Sequence, residues 1–97
     1  MFKAKRKNCI GPFNAFSPEG DGKNDKWHIN GIEQYPDNIV KIFNRWGDKV
    51  NEIENYNNND KIWKGRDKEG KELTEGTYFY IIQTTNKKRS GWVELMR

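Results

Sequence analysis

The chain has 97 residues and a net charge of +4, with 33% hydrophobic and 33% charged residues, and a mean hydropathy of −1.15. Such polarity alone would suit a disordered chain, but 13% aromatic content excludes one, because each ring brings a large area to a small core. The length allows one domain, and no apolar run approaches the roughly 20 residues of a membrane span.

In chain order, the first stretch is basic. Lys3, Lys5, Arg6 and Lys7 stand outside any periodic pattern, so residues 1–11 read as a basic leader, an upstream linker or an artificial remnant. No signal-peptide pattern follows Met1. The remainder, 12–97, is nearly balanced in charge, which argues against a nucleic-acid footprint. Cys9, the single cysteine, permits no internal disulfide and no cysteine-based zinc site.

Residues 9–16 read as an irregular edge strand, with Pro12 barring a central position. Residues 17–25 form a loop dense in turn formers. Trp27 and Ile29 mark a short strand closed by Asn30-Gly31, and residues 32–37 a connection with one helical turn. From Ile39 the sequence alternates, Val40 and Ile42 on one face against Ile39, Lys41 and Phe43 on the other, which predicts a half-buried strand. Trp46-Gly47-Asp48 then breaks the run, and Val50 and Ile53 predict a return strand. A polar loop around Tyr56 precedes a short strand at Ile62-Trp63, and residues 66–76 suggest a hairpin-like excursion. Thr77 to Thr85, with Tyr78, Phe79, Tyr80, Ile81 and Ile82, is apolar on both faces and predicts a central strand. Lys87, Lys88 and Arg89 read as a turn, and Trp92, Val93, Leu95 and Met96 as a last strand. The whole predicts an all-β fold, an Ig-like antiparallel β-sandwich of about seven short strands.

Chemistry is sparse. No nucleophile–base pair or paired-carboxylate spacing stands out, with Glu52 and Glu54 reading as solvent-facing, so an enzyme is not expected. His28, the lone histidine, has no partners for a metal constellation and reads as a half-exposed strand residue. The 17–25 loop offers Ser17, Glu19, Asp21 and Asp25 as alternating oxygen ligands around Gly22, a spacing compatible with Ca2+. His28 falls where the bidentate glutamate of an EF-type loop belongs, and the same residues equally suit a turn whose side chains satisfy backbone N–H groups. Trp27, Trp46, Trp63 and Trp92 would form a stacking platform if exposed together, which keeps an adhesive or carbohydrate-binding β-sandwich as the alternative.

Several motifs occur in an order found in one family: Phe13-Asn14-Ala15-Phe16-Ser17-Pro18, Gly20-Asp21-Gly22, Asn24-Asp25, the run Ile39 to Gly47 ending Phe-Asn-Arg-Trp-Gly, Gly76-Thr77-Tyr78-Phe79-Tyr80 and Gly91-Trp92-Val93. Over residues 12–97 the chain resembles the gliding-motility-associated C-terminal domain, the type B sorting domain of the type IX secretion system. It departs from the family pattern at Glu19, where asparagine is usual, at Trp63-Lys64-Gly65, where Trp-Asp-Gly is usual, and in its final strand. The resemblance implies an addressing module of large exported Bacteroidetes proteins. Such a module passes through the periplasm and is read by the outer-membrane type IX machinery, with a PorP/SprF-like partner, for delivery to the cell surface or medium. On that footing the expected docking surface is the last strand with its neighbouring turns, Lys87 to Arg97 (Lys87, Lys88, Arg89, Trp92 and Arg97), together with the 17–25 loop, and Arg45 and Trp46 are the alternative recognition pair. The other reading of that pair is that Trp46 packs on the sheet while Arg45 meets a carboxylate.

Overall fold

The computed structural model describes residues 10–17 and 26–96. Among the described residues seven strands are present: β1 Gly11–Pro12, β2 Ala15–Phe16, β3 Ile29–Asn30, β4 Ile39–Phe43, β5 Lys49–Glu54, β6 Gly76–Gln83 and β7 Lys88–Leu95, with one 3-10 turn at Ile32–Gln34. β1 pairs with β3 in a small sheet, and the others form a five-stranded sheet in the order β2-β7-β6-β4-β5. The expected β-sandwich is thus observed. One pairing departs from the antiparallel rule: β2 runs parallel to β7, Ala15 beside Glu94 and Phe16 beside Leu95.

The alternation read in β4 is the alternation of burial, Val40 and Ile42 inward and their neighbours partly exposed. On β6, Tyr78, Tyr80 and Ile82 face the core, and this strand is the middle one of the five. Its other face differs from expectation. Phe79 is 44% exposed and Gln83 is exposed, because the small sheet and its loops cover only the inner side. β7 also starts earlier than predicted, so Lys88 and Arg89 lie on the strand, and the turn is made by residues 84–87. Thr84 and Lys87 close it with a backbone bond of 2.8 Å.

The second layer is held by rings. Trp27, wholly buried, meets Tyr56, Trp63 and Tyr80 at centroid distances of 6.1, 6.0 and 5.1 Å. Trp63 in turn packs on Phe16 and Tyr78. Edge-on and tilted contacts of this kind add to simple area burial. The predicted strand at Ile62-Trp63 is instead irregular backbone. It is fixed by the buried Tyr56 hydroxyl, which accepts from the Trp63 N–H at 2.9 Å and donates to the Trp27 carbonyl at 2.6 Å. Burial pushes the Tyr56 phenol well above its ordinary range, so it stays neutral and keeps the proton it donates.

Three five-residue loops repeat one device. In Asn44 to Asp48 the Asn44 side-chain oxygen accepts from the N–H groups of Trp46 and Asp48, each at 3.0 Å. The Asn44 N–H meanwhile donates to the Asp48 carbonyl at 2.9 Å. Asn57 to Lys61 and Asp67 to Lys71 repeat the pattern, with Asn57 and Asp67 as acceptors. In the first loop Gly47 has φ +86°, the left-handed region that glycine enters without penalty. The sequence Phe-Asn-Arg-Trp-Gly therefore builds a turn that lifts Arg45 and Trp46 to its tip.

Gly91 is demanded for another reason. It lies opposite Tyr80 across β6 and β7, and an added Cβ would stand 2.6 Å from the Tyr80 hydroxyl oxygen and 2.9 Å from its ring carbon. Gly91→Ala is expected to cost about 1–3 kcal/mol through overpacking. At roughly 4–8 °C per kcal/mol for a domain of this size, a thermal melt reads the loss directly, and an unchanged melting temperature would show that Tyr80 can move away.

Candidate functional site

The predicted docking residues fall toward two ends of the large sheet: Arg45 and Trp46, with Trp92 level with the neighbouring Phe43 across β6, at one end, and Lys87, Lys88 and Arg89 at the other. Arg45 and Trp46 occupy the tip between β4 and β5. Trp46 is 75% exposed, with the Arg45 guanidinium 5.2 Å from its ring centre, so the alternative in which Trp46 packs on the sheet does not hold. The pair borders a shallow depression with Thr74, Glu75 and Gly76. At the other end, Lys87 closes the β6–β7 turn, with its ammonium 6.0 Å from the Tyr35 ring. Lys88, Arg89 and Trp92 follow on β7, all exposed. Four residues of strand put Trp92 about 13 Å from Lys88. Arg97 lies outside the described residues, as do Glu19, Asp21 and Asp25 of the predicted calcium loop, while Ser17 is half-buried beyond β2. Among the described residues no group of three His, Cys, Asp or Glu side chains could hold a metal ion.

The β6–β7 turn is tethered. The Asp37 carboxylate accepts from the Thr85 N–H at 2.6 Å and from the Thr85 hydroxyl, which fixes the turn to the connection before β4. These bonds, the hydroxyl's first, hold the Asp37 carboxyl below its usual range. The folded state therefore takes up this proton at lower pH than the unfolded chain, whose value is near 3.8. The group's contribution is present above that pH and is lost as pH falls through the folded value. Asp37→Asn is expected to flatten the acid limb of the stability–pH curve below about 4, read by urea melts at stepped pH. A limb of unchanged slope would mean that Asp37 does not titrate with folding.

A third feature was missed in the sequence. Phe43, Phe79 and Trp92 are cross-strand neighbours on β4, β6 and β7, so they form a row on the sheet's open face. Trp92 is 59% exposed. Reading β6 as buried on both sides hid the row, although the alternation of Tyr78, Tyr80 and Ile82 against Phe79, Ile81 and Gln83, ending in a polar residue, carried the signal. Trp27 and Trp63 are core residues, so the four-tryptophan platform is not formed. His28 is half-exposed, as expected, and packs on Phe13 at 5.2 Å. A shallow groove beside β5 is lined by Glu52, Glu54, Asp60, Lys61 and Lys68 around Ile53 and Ile62. No helix among the described residues is long and apolar enough to cross a membrane.

Fold and surface together define a small β-sandwich module whose exposed chemistry consists of rings, cations and strand edges. The chain belongs to the family described as the CHU_C type IX secretion signal domain, whose model matches residues 10–95. It is a sorting domain of the type IX secretion system, the address that sends an exported Bacteroidetes protein toward the cell surface or medium. By fold it is similar to PorZ, described as an essential bacterial surface component of the type IX secretion system of Porphyromonas gingivalis. The TM-score is 0.65 at 19% identity, over 97% of this chain and 12% of that one. In sequence it is 30% identical over 94 residues to the C5a peptidases of Streptococcus pyogenes serotypes M3 and M18, over 76% of this chain. It spans only 8% of the length of those relatives.

Proposed function

We propose that the domain acts as a folded C-terminal address, without catalysis of its own, that docks on an outer-membrane partner of the PorP/SprF-like kind after periplasmic transit. The observation that carries this reading is the extent of the family match. It runs from residue 10 to residue 95, through every described strand of the sandwich, which supports a folded domain and not a short linear tag as the unit that is read. The exposed Lys88, Arg89 and Trp92 of β7 with Lys87 at its turn, and the Arg45–Trp46 tip, are the surfaces offered for docking.

The test is a transport assay. The full chain is fused behind a signal peptide and a fluorescent reporter in a type IX-competent bacterium, with and without the candidate partner. Partner-dependent signal at the surface or in the medium is expected. Reporter trapped in the periplasm under both conditions would overturn the reading. The triple change Lys87→Gln, Lys88→Gln and Arg89→Gln locates the surface: a folded variant exported as efficiently as the parent would remove this turn from the docking face.

A further inference from the structure

The two edges of the large sheet are not equivalent. At β5, the outward Val50 carbonyl accepts from the Lys68 N–H at 3.1 Å. The Glu52 N–H is taken by the Asn51 side chain at 2.7 Å, whose amide nitrogen also reaches the Arg66 carbonyl at 2.7 Å. That edge is closed by its own loop. At β7, the covering strand β2 reaches only Glu94 and Leu95.

The register shows what remains uncovered. The N–H groups of Glu94 and Met96 donate to the carbonyls of Asn14 and Phe16, at 2.8 and 2.9 Å, so they point away from β6. Backbone direction alternates along a strand, hence Trp92, Ser90 and Lys88 also turn their N–H and C=O groups outward. Consistently, these residues stand opposite Phe79, Ile81 and Gln83 in the pairs that exchange no ladder bonds. Among the described residues nothing pairs with this stretch. The side chains of Lys88, Ser90 and Trp92 are exposed on one face, Trp92 at the end of the aromatic row, while Arg89 is exposed on the opposite face. Among the described residues no carboxylate forms an ion pair with Lys88 or Arg89.

The geometry points to this open edge of β7 as an acceptor for an extended strand of a protein partner. That strand carries a carboxylate beside Lys88 and, four residues away on the same face, an aromatic side chain beside Trp92. Backbone bonds to Lys88, Ser90 and Trp92 would supply affinity, and the side-chain pairs would set register. An aromatic residue beside Trp92 would lengthen the row Phe43–Phe79–Trp92 by one strand, and a carboxylate would neutralise the Lys88 ammonium, which otherwise stands in solvent. The inference rests on the docking reading above and specifies its occupant.

Two synthetic peptides, Glu-Val-Thr-Val-Trp and the reverse Trp-Val-Thr-Val-Glu, capped at both ends, serve as probes against the isotope-labelled full chain. The expected result is saturable binding of one of them, with amide protection rising at Lys88, Ser90 and Trp92 and unchanged at β5. Ser90→Pro removes an outward N–H and no ladder bond, so it should fold and bind at least about tenfold more weakly, while Ser90→Ala binds as the parent does. Lys88→Glu should lose the acidic peptide and gain its lysine counterpart, Lys-Val-Thr-Val-Trp or the reverse, a swap that does not depend on how proline is tolerated. Absence of saturable binding by either peptide, equal binding by a folded Ser90→Pro, or shifts centred on Trp46 or β5 would overturn the proposal. In the transport assay, export of the parent with retention of Ser90→Pro supports it. Equal export of both overturns the edge proposal and leaves the sorting function standing, whereas failure of the parent alone counts against the sorting function and leaves the peptide result to judge the edge.

Discussion

Trp27→Ala is expected to leave little folded protein at physiological temperature. The ring is wholly buried, touches three other aromatic side chains, and its indole N–H donates to the Phe13 carbonyl at 2.8 Å. Removing a buried Trp costs about 3–5 kcal/mol, a large share of the 5–15 kcal/mol that holds a typical domain together. The same truncation at Trp92 or Trp46, both exposed, should change stability by no more than about 0.5 kcal/mol. Denaturant melts followed by circular dichroism compare the three. A Trp27→Ala protein as stable as Trp92→Ala would mean that the second layer contributes little to the fold.

The second large effect is expected from a polar residue. Asn38 is a wholly buried polar residue among the core side chains. Its amide nitrogen donates to the Tyr35 and Tyr56 carbonyls at 2.7 and 3.1 Å, and its oxygen accepts from the Tyr56 N–H at 2.8 Å. Asn38→Leu keeps the volume and strips these side-chain bonds from the Tyr56 N–H and carbonyl, while the Tyr35 carbonyl keeps the backbone N–H of residue 38 at 3.0 Å, at a cost of roughly 2–4 kcal/mol. Because Tyr56 ties Trp27 to Trp63, the loss should spread, and amide exchange at Tyr56 and Trp63 should quicken together. Faster exchange at Tyr56 alone would show that the two halves of the network are independent.

What the sequence made legible was local. The alternation of Val40 and Ile42, the long apolar run of β6, and the turn residues Asn44 and Gly47 each act within a few positions, so they could be read in place. The motifs Phe-Asn-Arg-Trp-Gly and Gly-Thr-Tyr-Phe-Tyr gave the family. Pairings between distant segments were not legible. Two-residue strands such as β2 leave no periodic trace, and nothing near Ala15 indicates a parallel partner at Glu94. Ile62-Trp63 carries the residue types of a strand but is held by the Tyr56 hydroxyl and the Trp27 N–H, contacts that propensity does not encode. Lys88 and Arg89 were read as a turn from their charge, although an edge strand with one face in water accepts lysine and arginine readily. For the docking surface, the exposed rings and cations were nameable from composition, but their division between two ends of the sheet depended on register.

The position of β7 also sets the order in which the domain can be completed. In chain order this strand follows the other described strands, yet it lies between β6 and β2 in the sheet, with Glu94 bonded to Asn14 and Met96 to Phe16. Contacts so distant along the chain form late, because the loop between them must close first. During synthesis β2 has no partner until β7 emerges, and the inner residues Val93 and Leu95 cannot fill the core before then. A polypeptide stopped short of β7 would carry an open sheet in place of a finished surface. A receptor that recognises the finished surface would thereby accept only chains translated through β7.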